Sequence, residues 1–502
     1  MSSNKKTSTC GTENSIDTID FSSFWEGKIF QKRYILIKEI DQGGYASVWI
    51  CLDTNNMKYY AMKITNSEKI NVGKRETHIY KLFSKYKSDN IMKLLNSFDQ
   101  EEEFGVFHCC VMDLMACSTY NLIKSDELNF DTVIKIFHQT LKGLLHLHNN
   151  NIIHGDIKPE NLLISGNSCF QNDFFKFIDA ESIVKDIDLQ IKMQNIKNSS
   201  GKHAKKTNKR KNISNNNTNN TNNTNNTIEP TRLEKIANRI KEKISEYKSI
   251  HLSELSSSYC SDNLDEESND SVYCSNDDKE YCIDISTCSS DSVDLDDLDD
   301  LDDSDDSDDS DNLDNLDNLD NKKLLSTDIL NNLCVKISDM GGCLIPNEPK
   351  SKQLQTSYYK APEVLLGLEC TTKCDLWSLG CTIYELLTGN ILFDPDEFDG
   401  NFKRHHLYLM VTKLGMFSES FISMSPKRDI YFTADNKLIK GYKTINMSNN
   451  LFSELETVMN LQFVDKTVAA NFIDLIKKIM CFDPSQRIDT IDALNHQLFK
   501  NM

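Results

Sequence analysis

The stretch His154-Gly155-Asp156-Ile157-Lys158-Pro159-Glu160-Asn161 sets an acid, a base and an amide close together, directly after a run with helical spacing. Transfer of a phosphoryl group needs the phosphates held still, their charge neutralised by metal, and a base beside the incoming hydroxyl. Asp156 can accept that hydroxyl's proton, Lys158 can face the transferring phosphate, and Asn161 can hold a metal ion. A polar loop after a helix is the plain alternative, so the reading depends on what stands on either side.

Downstream, Val335-Lys336-Ile337-Ser338-Asp339-Met340-Gly341 reads as a strand ending in an acid and a glycine, which makes Asp339 a second candidate metal ligand. A rival lies nearer to Asn161: Phe175-Lys176-Phe177-Ile178-Asp179-Ala180-Glu181 also reads as a strand ending in an acid. It lacks the glycine, and nothing like the loop Gln355-Thr356-Ser357-Tyr358-Tyr359-Lys360-Ala361-Pro362-Glu363 follows it, so Asp339 is preferred. Upstream, Ala61-Met62-Lys63 sits on a predicted strand, and Glu76 lies on a predicted helix with Ile79 and Leu82. The turn before them is Asp41-Gln42-Gly43-Gly44-Tyr45-Ala46-Ser47-Val48, where Gly43 permits the closest backbone approach.

Apolar alternation and runs predict strands over 33–40, 48–52, 59–64 and 106–114. Helical spacing covers 71–86, 130–148, 374–388 and 468–480. Strands first and helices later predict an α+β, bilobal fold, with a small sheet-rich lobe and a larger helical one. Polarity is uneven. Residues 254–320 carry 26 Asp and Glu but a single basic residue, Lys279; the rest has 55 basic and 50 acidic residues, so the chain's −20 becomes +5 without that segment. An Asn/Thr tract at 212–227 and an acidic repeat at 294–320 extend the bias, which predicts a solvated, disordered, low-complexity insert over 165–333. Residues 231–249 are read as an isolated charged helix. The predicted organisation is a polar tail (1–29), the small lobe (30–115), the first part of the large lobe (116–164), the insert (165–333) and the rest of the large lobe (334–500). The first twenty residues lack the apolar core of a signal peptide, and no uncharged apolar run reaches the length of a membrane span. The 16 cysteines show no metal-ligand pairing. The expectation is an intracellular chain, cytoplasmic or nuclear, with free thiols.

Together these motifs resemble eukaryotic protein kinases over residues 30–164 and 334–500, and within them the CMGC group, especially the SR-protein kinases. The loop through Tyr359-Lys360-Ala361-Pro362-Glu363 is similar to that group's substrate loop, Gly155 stands where many kinases carry Arg, and a long spacer divides the core. The resemblance implies an ATP- and Mg2+-dependent serine/threonine kinase, with Asp156 and Lys158 catalytic and Asn161 and Asp339 on the metal. It puts Asp41, Gln42, Gly43, Gly44, Tyr45, Ala46, Ser47, Val48, Lys63, Glu76, Met112 and Leu114 at the nucleotide, Lys63 on the α/β-phosphates and Glu76 paired to it. Met340 replaces the usual Phe, Asp41 and Ala46 replace two glycines, and Arg487 is implied as the partner of a buried Glu363. Gly155 cannot pair with a phosphate on the activation loop, so activity is expected without that phosphorylation. The implied partner is a protein substrate, basic or Arg/Ser-rich, steered by an acidic patch of Asp394, Asp396, Glu397 and Asp399. A monomer is expected, with no direct contact to nucleic acid or membrane. In the insert, Lys205, Lys206, Lys209, Arg210 and Lys211 form a basic cluster. Ser304, Ser307 and Ser310 stand among aspartates as candidate targets of acid-directed kinases. The alternative from another class is a non-catalytic pseudokinase that binds through its acidic insert.

Overall fold

Short turns separate the first strands, so sequence neighbours pair in space. In the computed structural model, which describes residues 25–83, 88–125, 127–208, 230–258, 323–346, 354–395, 401–439 and 450–500, the chain opens with β1 (Ile29–Phe30), β2 (Tyr34–Gln42), β3 (Ala46–Asp53) and β4 (Lys58–Thr65). Helix α1 (Ile70–Phe83), β5 (Leu94–Glu102) and β6 (Gly105–Asp113) follow, and the strands form one antiparallel sheet in the order β1-β2-β3-β4-β6-β5. β5 gave no clear strand signal because it is the edge of the sheet: its residues are polar, and Phe98 is its one fully buried side chain.

A single residue, Leu114, connects this lobe to β7 (Met115–Ser118). Then come α2 (Thr119–Lys124), α3 (Phe130–His148), β8 (Leu162–Ser165), α4 (Cys169–Ile178), α5 (Ala180–Asn208), α6 (Arg232–Ser258), β9 (Val335–Ile337), α7 (Lys373–Thr388), α8 (Phe402–Leu414) and α9 (Lys466–Ile479). β7, β8 and β9 make a second small antiparallel sheet. Asn129 caps α3 by accepting from Thr132 N, and Val133, Phe137, Leu141 and Leu144 face the core of the large lobe. α7 is buried on every side, which is why its sequence is apolar and cysteine-rich all round.

The range 165–333 is not one low-complexity spacer. α4, the start of α5, and α6 pack onto the small lobe, whereas residues near the end of the range, Leu325 and Leu333, join the core of the large lobe. Ser168 and Gln171 form a capping box that starts α4, a helix where a strand was read, and Asp179 closes it in the left-handed conformation at φ 43°. Phe175 stacks on Tyr59 with ring centroids 3.9 Å apart, and Gln171 Nε2 donates to Met115 O at 2.9 Å. Residues 231–249 belong to α6, which is not isolated. Ile236, Ile240 and Ile244 recur every four residues, and with Ala237 they bury against Ile35, Ile37, Ile50 and Leu52 on the outer face of the sheet. Each such isoleucine contributes roughly 1.5–3 kcal/mol of burial. The charged residues lie on the other faces, some in exposed pairs such as Arg239–Glu242 and Lys243–Glu246. This cover also corrects the reading of β2 as a half-buried, alternating strand: Tyr34, Ile35, Leu36 and Ile37 are all buried, alternate residues under the insert helices and under Trp25, Phe30 and Trp49. β8 (Leu162–Ser165) and a turn at Leu324 and Leu325, whose amides donate to Glu127, bring the insert boundaries inward of 165 and 333. The tract at 212–227, the acidic repeat, its serines, and Lys209, Arg210 and Lys211 lie outside the described residues.

Candidate active site

The loop after α3 is shaped by one buried acid at the start of α7. Asp375 accepts from His154 N and Gly155 N, both at 2.8 Å, and bonds His148 Nε2 at 2.9 Å. Gly155 is required twice over. Its φ is +78°, and a Cβ there would stand 2.4 Å from Leu354 Cδ1. The space over position 155 is thus filled by Leu354, which is itself buried.

Asp156 is held from two sides. Its Oδ1 accepts the Thr356 hydroxyl at 2.6 Å, and its Oδ2 accepts Asn161 Nδ2 at 2.8 Å. Lys158 Nζ lies 3.6 Å from Asp156 Oδ2 and donates to Thr356 Oγ1 at 3.1 Å. Asn161 Nδ2 also donates to Asp156 O, so both amide hydrogens are engaged and the amide oxygen points the other way.

Across the cleft, Lys63 on β4 meets Glu76 Oε2 at 3.0 Å and Asp339 Oδ1 at 3.1 Å. Burial by itself lowers the pKa of Lys63, but the Glu76 and Asp339 carboxylates outweigh it and hold the ammonium well above its ordinary value. Burial raises the Glu76 carboxyl despite Lys63. At Asp339 burial is outweighed by Lys63, with help from the Gly341 amide, and its carboxyl stays below its ordinary value. Both hydrogen bonds to Asp339 fall on Oδ1. Two oxygen donors, from Asn161 and Asp339, suit a hard cation such as Mg2+. Asp179, the rival acid, caps α4 among the outer helices instead.

The glycine turn forms despite its altered sequence. Gly43 N donates to Ala46 O at 2.8 Å, Ala46 is buried behind the hairpin, and Asp41, Gln42, Gly43 and Gly44 are exposed. Ser47 and Val48 pair with Gln42 and Asp41 in the hairpin. Tyr45 instead turns into the cleft, with Lys63 Nζ 5.6 Å from its ring centre; burial, and then the Asp339 charge, push its hydroxyl up to about 12. Met112 is buried opposite Ala61, two residues from Lys63. Leu114 packs toward the insert helices.

Glu363 and Arg487 meet as a two-pronged pair at 2.7 and 2.8 Å, fully buried. Sequence reasoning met Thr356 and Asp375 only inside longer motifs, gave neither a role of its own, and missed Leu354, because each acts through a neighbour distant in sequence. Of the proposed acidic patch, Asp394 is described; Asp396, Glu397 and Asp399 are not among the described residues.

The protein kinase domain family matches residues 34–182 and 323–499, well over half of the chain. A putative serine/threonine-protein kinase of Acanthamoeba polyphaga mimivirus is 27% identical over 499 residues, covering 94% of this chain and 88% of the relative. Protein kinase dsk1 of Schizosaccharomyces pombe is 24% identical over 481 residues (91% and 78%), and serine/threonine-protein kinase SRPK of Physarum polycephalum is 22% identical over 485 (94% and 86%). With a family match on both sides of the insert and a two-lobed fold around the cleft, this chain belongs to the protein kinase family, and relatives that match it over nearly its whole length include proteins named as serine/threonine-protein kinases, one of them SRPK.

Proposed function

We propose that this kinase is active and transfers the γ-phosphate of ATP to serine or threonine hydroxyls of proteins. One observation carries the reading: Lys63 bridges Glu76 and Asp339 while Asn161 and Thr356 hold Asp156 across the cleft. Bound ATP supplies the phosphoryl group and Mg2+ neutralises its charge, with Asn161 and Asp339 as the metal's ligands. Asp156 accepts the proton of the incoming hydroxyl, Lys158 faces the transferring phosphate, and Lys63 orients the α/β-phosphates. A pseudokinase is the second reading, favoured by Asp41 and Ala46. The exposure of the first and the burial of the second behind the hairpin weaken it.

Activity without activation-loop phosphorylation follows from the same loop. No arginine stands at 155, and the segment leading to the substrate loop is anchored by neutral contacts: Leu354 over Gly155, and buried Gln355, which donates to Cys374 O and Ser378 Oγ and accepts from Ala361 N. Basic or Arg/Ser-rich proteins are the proposed substrates, by likeness to the SR-protein kinases. The chain is proposed to work as an intracellular monomer. Among the described residues no helix is long and apolar enough to cross a membrane.

Radiolabelled ATP offered with basic, Arg/Ser-rich and acidic proteins tests the reading. Incorporation is expected with the wild type, highest on the Arg/Ser-rich protein, and is abolished in Asp156→Ala; equal incorporation by both defeats the enzymatic reading. Phosphatase-treated enzyme is expected to keep its rate, and its inactivity would sink phosphorylation independence.

A further inference from the structure

Asp339 begins a segment whose backbone is pliable, although Met340 and Cys343 within it are buried. Its φ is 55°, a left-handed conformation that strains a residue with a Cβ, and it is followed by Gly341-Gly342, the most pliable pair the chain can contain. Two contacts span that diglycine from outside. Arg75 on α1 donates from Nη1 to Gly341 O at 2.5 Å and from Nη2 to Cys343 O at 2.7 Å. A planar guanidinium presents both donors in one rigid fork, which a lysine cannot do.

The helix that carries Arg75 is itself locked in register. Glu76 meets Lys63. Thr77 Oγ1 lies 2.7 Å from His108 Nε2, His108 Nδ1 lies 2.6 Å from Asp99 Oδ1, and Lys74 reaches Asp99 Oδ2 at 2.9 Å. Gly73 permits this close approach, since a Cβ there would fall 2.4 Å from Thr65 Oγ1. Three successive side chains of α1 therefore address three different elements: Arg75 the segment after Asp339, Glu76 β4, and Thr77 β6.

We propose that Arg75 is a positioning residue, which fastens the diglycine so that the Asp339 carboxylate keeps its metal-binding place without a phosphate to order the segment. This rests on the reading of Asp339 as the Mg2+ ligand of an active kinase.

The test compares the full-length wild type with Arg75→Met and Arg75→Lys. Hydrogen exchange of nucleotide-free protein is followed at residues 340–344. The Mg2+ concentration that half-saturates thermal stabilisation is measured with a non-hydrolysable ATP analogue. In Arg75→Met, which loses both charged hydrogen bonds, exchange at 340–344 and the Mg2+ midpoint are each expected to rise at least about tenfold, with exchange in β2 and β3 unchanged. Arg75→Lys is expected to fall between, and it is read by the same criteria should Arg75→Met not fold. Equal midpoints in wild type and variants overturn the proposal alone, and so does faster exchange with an unmoved midpoint, which marks a merely structural contact. A wild type with no Mg2+-dependent stabilisation overturns the kinase reading, and this proposal with it.

Discussion

Two buried ion clusters use the same kinds of groups for opposite ends. Glu363 and Arg487 form a closed pair, one acid to one base, both 0% exposed, with the remaining guanidinium hydrogens given to the carbonyls of Cys481, Lys373 and Phe482. Around Lys63 one base serves two acids, and the Asp339 side chain keeps 29% of its surface open. The first cluster is neutral and sealed, so it holds the substrate loop to the end of the large lobe and does nothing else. The second carries an excess negative charge and an open side, as a group must if it is to receive a cation and its phosphates. Balance and closure, more than burial, separate a staple from a site.

Removing Arg487 should show the largest effect on folding. Arg487→Met orphans a fully buried carboxylate and is expected to cost about 3–5 kcal/mol in denaturant unfolding, whereas Arg487→Met with Glu363→Leu should recover most of it. A double variant as unstable as the single one would break the comparison. Lys63→Met should show the reverse profile. The phosphoryl-transfer rate is expected to fall about 10²–10³-fold, the cost of one preorganised charge donor. The melting temperature is expected to fall less than in Arg487→Met, since one of the two acids left behind, Asp339, keeps an open side. Ile240→Ala, on the outer face of the sheet and remote from both clusters, should loosen α6 by about 2–3 kcal/mol and quicken exchange of the β2 amides. Unchanged β2 exchange would mean that the insert helices add nothing to the small lobe.

The last expected effect, spread over a range of pH, concerns a third buried acid. Glu385 is bonded to the Tyr359 hydroxyl at 2.6 Å, and burial, only partly opposed by that bond, raises its carboxyl to about 7. The folded chain then keeps a proton that the unfolded chain releases near 4.5. That stabilisation is present below pH 4.5 and lost as pH rises toward 7, of the order of 3 kcal/mol. Glu385→Gln should flatten the stability profile between pH 5 and 8; an unchanged slope would show that Glu385 is ionised throughout.

Legibility in the sequence followed the range of the interactions. Asp156, Lys158 and Asn161 stand so close together that their spacing alone constrains their geometry, and α3 announces itself by periodicity. The choice of Asp339 over Asp179 was also local, resting on a glycine and a following loop. The insert was misjudged because composition averages over length: the acidic repeat masked the four-residue isoleucine stripe of α6, and the Ser168–Gln171 capping box was passed over. The roles of Thr356, Leu354 and Asp375 show in no local pattern, since each acts on a loop far away in the chain.

What the sequence by itself determined is therefore the chemistry of the catalytic loop and the two-lobed division, because both rest on patterns a few residues to a few turns long. The tertiary structure alone decided that Lys63 meets Asp339 as well as Glu76, that Arg75 spans the diglycine beyond Asp339, and that helices of the insert cover the sheet. Those contacts join residues separated by up to 276 positions. A chain fixes such distances only by packing, where burial excludes water and leaves each charge no partner but the one folding brings to it.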